Sequence, residues 1–399
     1  MRKTKEELEK IKQEYGVSEL YSWSKINTFM TSPYEYYLSY VLHKKPDIDN
    51  CAYAPLGGMV HQIIENYYNG KTEYNKMTNE FDDVWTTMID IANLKFDRNT
   101  EEKNESIKRK YKEDLEHFFK THQSIPYKII IEQFTTAKIG SYVLQGYIDA
   151  VYKDNEGFYH IIDWKTSSKY SKESLKVHSG QLTVYAISLM QKGIPLEKIK
   201  AGFNFLKYCT VEYTQANGSV KSREIERSKI GESLQSNVKM WLKKLGYTDE
   251  VDNYLKFLCD TNDINCLPED VKNKYRMYDC YVYIDLTEKS INEWIEKIIA
   301  TIKDIKTREK DYHETKSEMV FWDSDSSVEK NSFYFATLCG FSSSLHKPYK
   351  AYLDRLEEKK NGNDLFANVG VDVNRNETIT SKIQKQNSEI DLSWLDALV

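Results

Sequence analysis

A chain of 399 residues that is 40% hydrophobic and 13% aromatic, with only 7 Pro and 16 Gly, holds enough apolar material for one large or two smaller folded units. That composition excludes collagenous, Pro-rich and disordered classes. Its 56 basic and 61 acidic side chains leave a formal charge of −5, so any contact with a polyanion has to come from a local basic patch.

Residues 1–20 predict an amphipathic helix, with Thr4 and Glu7 spaced as a capping box and no apolar stretch of the kind that targets secretion. From Ser22, SWSKINTFMTSPYEYYLSYV reads as two short helices, with Ser32 as N-cap and Pro33 as first helical residue of the second. A further helix begins near Pro55: Val60, Ile63, Ile64 and Tyr67 recur at helical spacing, while His61 and Glu65 lie four apart on an adjoining face. Charged helical stretches follow at about 75–95 and 101–122.

The period then changes to two. Residues 127–137, 142–153 and 158–164 predict three successive strands, the last two joined by the turn Asp154-Asn155-Glu156-Gly157. A helix over about 172–192 and a strand over 199–208 come next. Helix, three-strand meander, helix and strand predict an α/β fold with a mixed sheet. Residues 210–285 are less regular and read as an insertion or a substrate-facing elaboration, 288–312 as a charged helix, and 332–359 as a short apolar patch and a helix. The expected organisation is a terminal helix (1–20), a core with a helical insertion (21–210), an elaboration that completes it (211–359), and a polar linker with an acidic, apolar tail (360–399).

The informative segment is GYIDAVYKDNEGFYHIIDWKTSSK. Strand alternation puts Tyr147, Asp149 and Val151 on one face, and Ile161, Asp163 and Lys165 on one face of the next strand, so a tight hairpin brings Asp149 and Asp163 together. Two close carboxylates repel unless a cation joins them, and hard divalent ions such as Mg²⁺ take oxygen ligands of this kind. Lys165 is then placed to orient or help deprotonate a metal-bound water, or to offset charge on a phosphate. Taken singly, Asp163 and Lys165 read as a strand-end salt bridge, His61 and Glu65 as a surface i,i+4 pair, and Gln181 and Tyr185 as polar groups at the core edge.

Taken in order, SWSKINTFMTSPYEYYLSY, Gly57-x-x-x-His61-x-x-x-Glu65, Gly146-Tyr-Ile-Asp149, Ile162-Asp163-Trp164-Lys165-Thr166 and Gly180-Gln181-Leu-x-x-x-Tyr185 span about residues 21–210. This ordered set resembles the PD-(D/E)xK nuclease superfamily, specifically its RecB-like exonuclease branch. The resemblance implies a restriction-endonuclease-like core of order αβββαβ, a mixed sheet flanked by helices. It implies His61, Asp149, Asp163 and the backbone carbonyl of Trp164 as ligands of Mg²⁺ or Mn²⁺, and Lys165 as the catalytic lysine. Gln181 and Tyr185 would support the site and contact the phosphate backbone, with Glu65 as a weaker supporting carboxylate. Ile148 stands where the superfamily's name has proline. Many relatives in this branch carry an iron–sulfur cluster held by four cysteines. Here Ser32 occupies the first position, and SFYFATLCGFSSSLHKPYKAYL offers only Cys339, with Phe335, Ala336 and Leu345 where thiolates would stand, so no cluster is expected.

Lys169, Lys172 and Lys176 follow Lys165 directly, with Tyr170 and His178 among them, and are the expected DNA-backbone contacts together with Tyr185. There is no GxxxxGK[ST] loop, which suggests a nuclease acting alone or with a partner's motor. The end, SEIDLSWLDALV (388–399), reads either as a peptide that docks on a replication partner such as a sliding clamp or single-strand-binding protein, or as a segment packing back on its own domain. Six scattered cysteines without a Cys-x-x-Cys pair, and no apolar run long enough for a membrane, place the expected protein in a reducing cytoplasm. Lysine-rich usage and the stand-alone format suggest a phage, and so a host cytoplasm. The expected activity is a metal-dependent DNA exonuclease of replication, recombination or repair. The alternatives are a structure- or site-specific endonuclease and a catalytically silent DNA-binding scaffold.

Overall fold

The computed structural model describes residues 2–367; the 388–399 tail lies outside them. The strands of the described chain, β1 (Tyr21–Ser22), β2 (Ile129–Ile139), β3 (Tyr142–Lys153), β4 (Tyr159–Lys165), β5 (Ile199–Thr214), β6 (Val220–Glu226) and β7 (Tyr275–Tyr283), form one mixed sheet. β2, β3 and β4 are an antiparallel meander, β4 pairs parallel with β5, and β6 and β7 both pair antiparallel with β5. Helices cover the sheet, giving the restriction-endonuclease-like α/β architecture.

On one face α4 (Tyr53–Tyr68), α5 (Met77–Trp85) and α6 (Glu101–Thr121) bury Val60, Ile64, Phe81, Trp85 and Phe118 against Ala150, Ile162, Trp164 and Leu206. On the other, α8 (Gly180–Gln191) packs Leu182 and Ala186 on Ile148, Val151, Ile161 and Phe203. Its Val184 and Ile187 meet α2 (Trp23–Thr31) and α12 (Glu288–Thr315) through Ile26, Trp294 and Ile298. α3 (Pro33–Tyr36), α13 (Asp325–Lys330) and α14 (Lys347–Ala367) belong to an aromatic cluster of Tyr34, Tyr36, Phe321 and Phe335. α1 (Lys5–Tyr15) buries no residue.

Local sequence rules hold at several ends. Thr4 and Glu7 form the capping box, Ser32 caps α3 with Pro33 at its start, and Gly157 takes the left-handed φ of 85° that the β3–β4 turn requires. Four expectations are corrected. The single helix over 172–192 is two, α7 (Lys172–His178) and α8. They part at Ser179, next to Gly180, where a β-carbon would lie 2.0 Å from the Trp23 ring. The strand expected to end at 208 runs to Thr214. The segment read as irregular then builds β6, β7, α9 (Ile230–Lys244), α10 (Val251–Thr261) and α11 (Glu269–Lys272) around a core of Val211, Leu234, Val238, Leu255 and Tyr275. Finally, Ile148 and Val151 bury against the same helix, so Tyr147, Asp149 and Val151 do not keep the expected alternation. Opposite them, Glu132 has a φ of 50° between the pairs Ile131↔Ala150 and Gln133↔Ile148, a local backbone distortion that leaves the β2–β3 register unchanged.

The same region is where the sheet opens. With β2 along its other edge, β3 is paired by β1 at Leu144 and Gln145 and by β4 from Ala150 onward, leaving Gly146–Asp149 without a ladder partner on that side. On β5, the pairing with β4 ends at Phe205 and that with β6 begins at Tyr208. The C-terminal end of β4, Asp163–Lys165, lies between these two gaps.

Candidate active site

Asp149 sits one residue before the first β3–β4 pair, Ala150↔Ile162, and therefore opposite Asp163. In place of a ladder bond, Trp164 N donates to Asp149 Oδ2 at 3.1 Å. The α4 helix is pressed on this point by Val60 and Ile64, which brings His61 Nε2 to 2.8 Å from the Trp164 carbonyl oxygen and His61 Nδ1 to 3.5 Å from Asp149 Oδ2. Lys165, buried on β4, sets its Nζ 2.8 Å from Asp163 Oδ2. That approach lacks hydrogen-bond geometry, and Asp163 Oδ2 is a buried oxygen with no hydrogen-bond partner. His61, Asp149, Asp163, Trp164 and Lys165 are thus brought together from one helix and two strands.

Burial pushes the Asp149 carboxyl well above the usual carboxylate range, with the Asp163 charge adding to the shift and the Lys165 ammonium opposing it. Burial also lowers the His61 imidazole, against the attraction of Asp163, and so favours the neutral ring that binds metals. Two carboxyls that disfavour joint ionisation, a carbonyl oxygen, a neutral imidazole and an orphaned buried carboxylate oxygen form a donor set that fits a hard divalent cation. Among the described residues no three His, Cys, Asp or Glu side chains stand together at metal-ligand spacing; at this site the Lys165 ammonium is the cation that lies against Asp163.

Around this cluster, Tyr185 is buried and donates its hydroxyl to the Tyr147 carbonyl at 2.7 Å, while Gln181 Nε2 donates to Tyr185 Oη at 3.1 Å. Tyr147 belongs to the stretch of β3 that has β2 as its only strand neighbour, and Tyr185 supplies a donor to its carbonyl from the open side. Gly146 permits the approach, since a β-carbon there would lie 2.9 Å from the Tyr185 ring. Glu65, one turn beyond His61, is raised by burial and by the charge of Glu132. Of the expected DNA contacts, Lys169 is paired with Glu224 of β6, whereas Lys172 and Lys176 are exposed on α7. Ser32 donates to Asp323 Oδ2 at 2.6 Å and lies 3.0 Å from His346 Nε2, and Cys339 is buried in the neighbouring aromatic cluster.

Glu132 was missed by the sequence reading. Its charge is felt at Asp149, Glu65 and Tyr185, and it holds a left-handed φ of 50° within a strand. The available signal was an acid inside the apolar run IIIEQF.

Compared with protein-family models, residues 21–311 match the model of the PD-(D/E)XK nuclease superfamily. No curated protein matches the chain. Among the described residues no helix is long and apolar enough to cross a membrane.

Proposed function

The chain belongs to the PD-(D/E)XK nuclease superfamily, whose members are metal-dependent nucleases, and on that footing we propose that it is a Mg²⁺- or Mn²⁺-dependent DNA exonuclease of the RecB-like branch. The observation that carries this reading is the convergence of His61, Asp149, Asp163 and Lys165 on the Trp164 backbone where β3 and β4 part.

In this reading His61, Asp149, Asp163 and the Trp164 carbonyl hold the ion, and Glu132 and Glu65 add acidic charge behind it. The ion supplies charge neutralisation at the scissile phosphate and lowers the pKa of attacking water. Lys165 Nζ, held on Asp163 and flanked by the Phe203 ring at 5.7 Å, carries the positive charge that meets the phosphate oxygens. Tyr185 and Gln181 act as positioning residues, fixing the β3 backbone that bears Asp149. The cavity beside Lys165, lined by Trp23, Gln181 and Phe203, is only about 10 Å³, room for about one water, so the choice of exonuclease over endonuclease rests on the resemblance to the RecB-like branch.

The test is incubation of the purified chain with Mg²⁺ or Mn²⁺ and end-labelled linear DNA beside closed circles, with Asp163→Ala and Lys165→Ala as controls. Metal-dependent loss of linear DNA only, absent in both variants, is the expected result. Cleaved circles would indicate an endonuclease. Tight binding without hydrolysis would indicate a silent scaffold.

A further inference from the structure

A cleft of about 1020 Å³ lies between α2, α7, α12 and α13, outside the cluster just described. Asn27 of α2 and His178 of α7 line both this cleft and the small cavity beside Lys165. We propose that the cleft seats a single strand of DNA continuous with the scissile phosphate, an assignment that rests on the nuclease reading.

Charge and shape support that occupant. Lys297 of α12 and Lys330 of α13 both line the cleft, both are exposed, and neither makes an ion pair among the described residues. Burial and the charge of Lys330 together lower the Lys297 ammonium, so the two cations stand near enough to repel. A polyanion between them relieves that repulsion. The third base, Arg308, is spoken for by Asp304 at 3.0 Å and the Val320 carbonyl at 2.9 Å. Of the remaining carboxylates, Glu173 is exposed at the rim, and Asp323 is buried at the floor, bonded to Ser32 and raised by burial to about 7. Lys297 and Lys330, neither in an ion pair among the described residues, therefore share the lining with Glu173 as its one exposed carboxylate outside an ion pair.

Apolar surface lies beside the charge: Val177 of α7 is 55% exposed, with Met30 and Trp322 in the same lining. Cationic groups for a backbone and apolar or aromatic side chains for bases are the two components of a single-strand groove. Asn27 and His178, shared by the cleft and the small cavity at Lys165, set the cleft beside the candidate site.

The experiment measures binding of 5′-fluorescein oligodeoxythymidylate to the full chain in EDTA, for wild type, Lys297→Glu, Lys330→Glu and Val177→Asp, all changes at exposed positions. Metal-dependent hydrolysis of bis(p-nitrophenyl) phosphate, a diester too small to need the cleft, is followed in parallel. Each lysine reversal is expected to weaken the oligonucleotide about tenfold and to reduce the salt slope by about 0.7. Val177→Asp weakens it too, and small-diester hydrolysis is unchanged throughout. Undiminished oligonucleotide affinity in all three variants, with small-diester hydrolysis intact, overturns the cleft and leaves the nuclease reading standing. A wild type that binds the oligonucleotide through these residues but hydrolyses neither substrate overturns the nuclease reading instead.

Discussion

The Asp149 carboxylate accepts the Trp164 N–H at 3.1 Å, so a side chain takes over where the β3–β4 ladder stops. Asp163 and Lys165, the residues on either side of Trp164, are thereby held in register with Asp149. Replacement by Asn keeps an acceptor for Trp164 but removes the negative charge. Asp149→Asn is therefore expected to fold with near wild-type melting temperature and lose about a hundredfold or more of its DNA hydrolysis rate. Asp149→Ala loses both. Equal melting temperatures for the two variants would show that the Trp164 bond holds nothing in place.

Lys165 is buried with Asp163 as its ionic partner. Lys165→Ala leaves that carboxylate unpaired beside Asp149, so two effects are expected: a hydrolysis rate lower by about 10²–10⁴-fold and a loss of stability that added Mn²⁺ restores. Rate measurements beside melting curves with and without the ion separate them. A variant that loses stability irrespective of metal would mean that Lys165 is a structural cation only.

Parts of the fold and of the candidate site are legible because they obey local rules. Thr4, Ser32 and Gly157 announce caps and a turn through properties of one or two residues, and His61, Asp149, Asp163 and Lys165 fall in short signatures. Other features depend on distant chain. The left-handed φ of Glu132 has no local signal, since its neighbours Ile131 and Gln133 read as ordinary strand residues. β6 is nearly all exposed from Val220 to Glu224, so it lacks the apolar alternation that marks a half-buried strand. The core around Val211 and Leu234 forms only when β7 returns beside β5 from more than sixty residues away, a pairing no local pattern encodes. Tyr185 lies in a short motif, but its hydrogen bond to the Tyr147 carbonyl depends on the gap in the sheet.

That gap makes Gly146 and Tyr185 a coupled pair. Tyr185→Phe leaves the Tyr147 carbonyl without its 2.7 Å donor, a loss of about 1–3 kcal/mol. Gly146→Ala pushes a methyl toward a ring 2.9 Å away, at about 1–3 kcal/mol. Because both act through one contact, the double variant should cost less than the sum of the singles. Denaturant melts of the four proteins check this, and strict additivity would show the two sites to be independent.

Asp114 of α6 provides a pH-dependent contribution away from the site. Burial raises its carboxyl to about 7, against the attraction of Lys207 and with help from Glu226. Ser228 N donates to Oδ1 at 2.7 Å while Oδ2 has no hydrogen-bond partner. A folded-state pKa above the ordinary 3.8 means stability that is full below that value and is lost as pH rises through about 7, by at most about 4 kcal/mol. Asp114→Asn cannot ionise. Its stability relative to wild type should therefore increase between about pH 5 and pH 8, read from melting temperatures across that range. A constant difference would place the Asp114 titration outside the window.

Metal binding should be visible without any substrate. Asp149 is raised by burial and by Asp163, so the folded chain carries a carboxyl pair that a divalent cation relieves. An ion that binds only the folded state at a hundredfold excess over its Kd stabilises by about 2.7 kcal/mol. Addition of Mn²⁺ should then raise the wild-type melting temperature, and EDTA should reverse the change. Asp149→Asn and His61→Ala each remove a proposed ligand and should abolish most of that rise. Tyr185→Phe, which leaves all four proposed donors in place, should melt lower overall yet keep the full metal-induced increment. If Tyr185→Phe lost the increment while His61→Ala kept it, the ion would be bound elsewhere, and the convergence around Trp164 would serve the sheet rather than a metal.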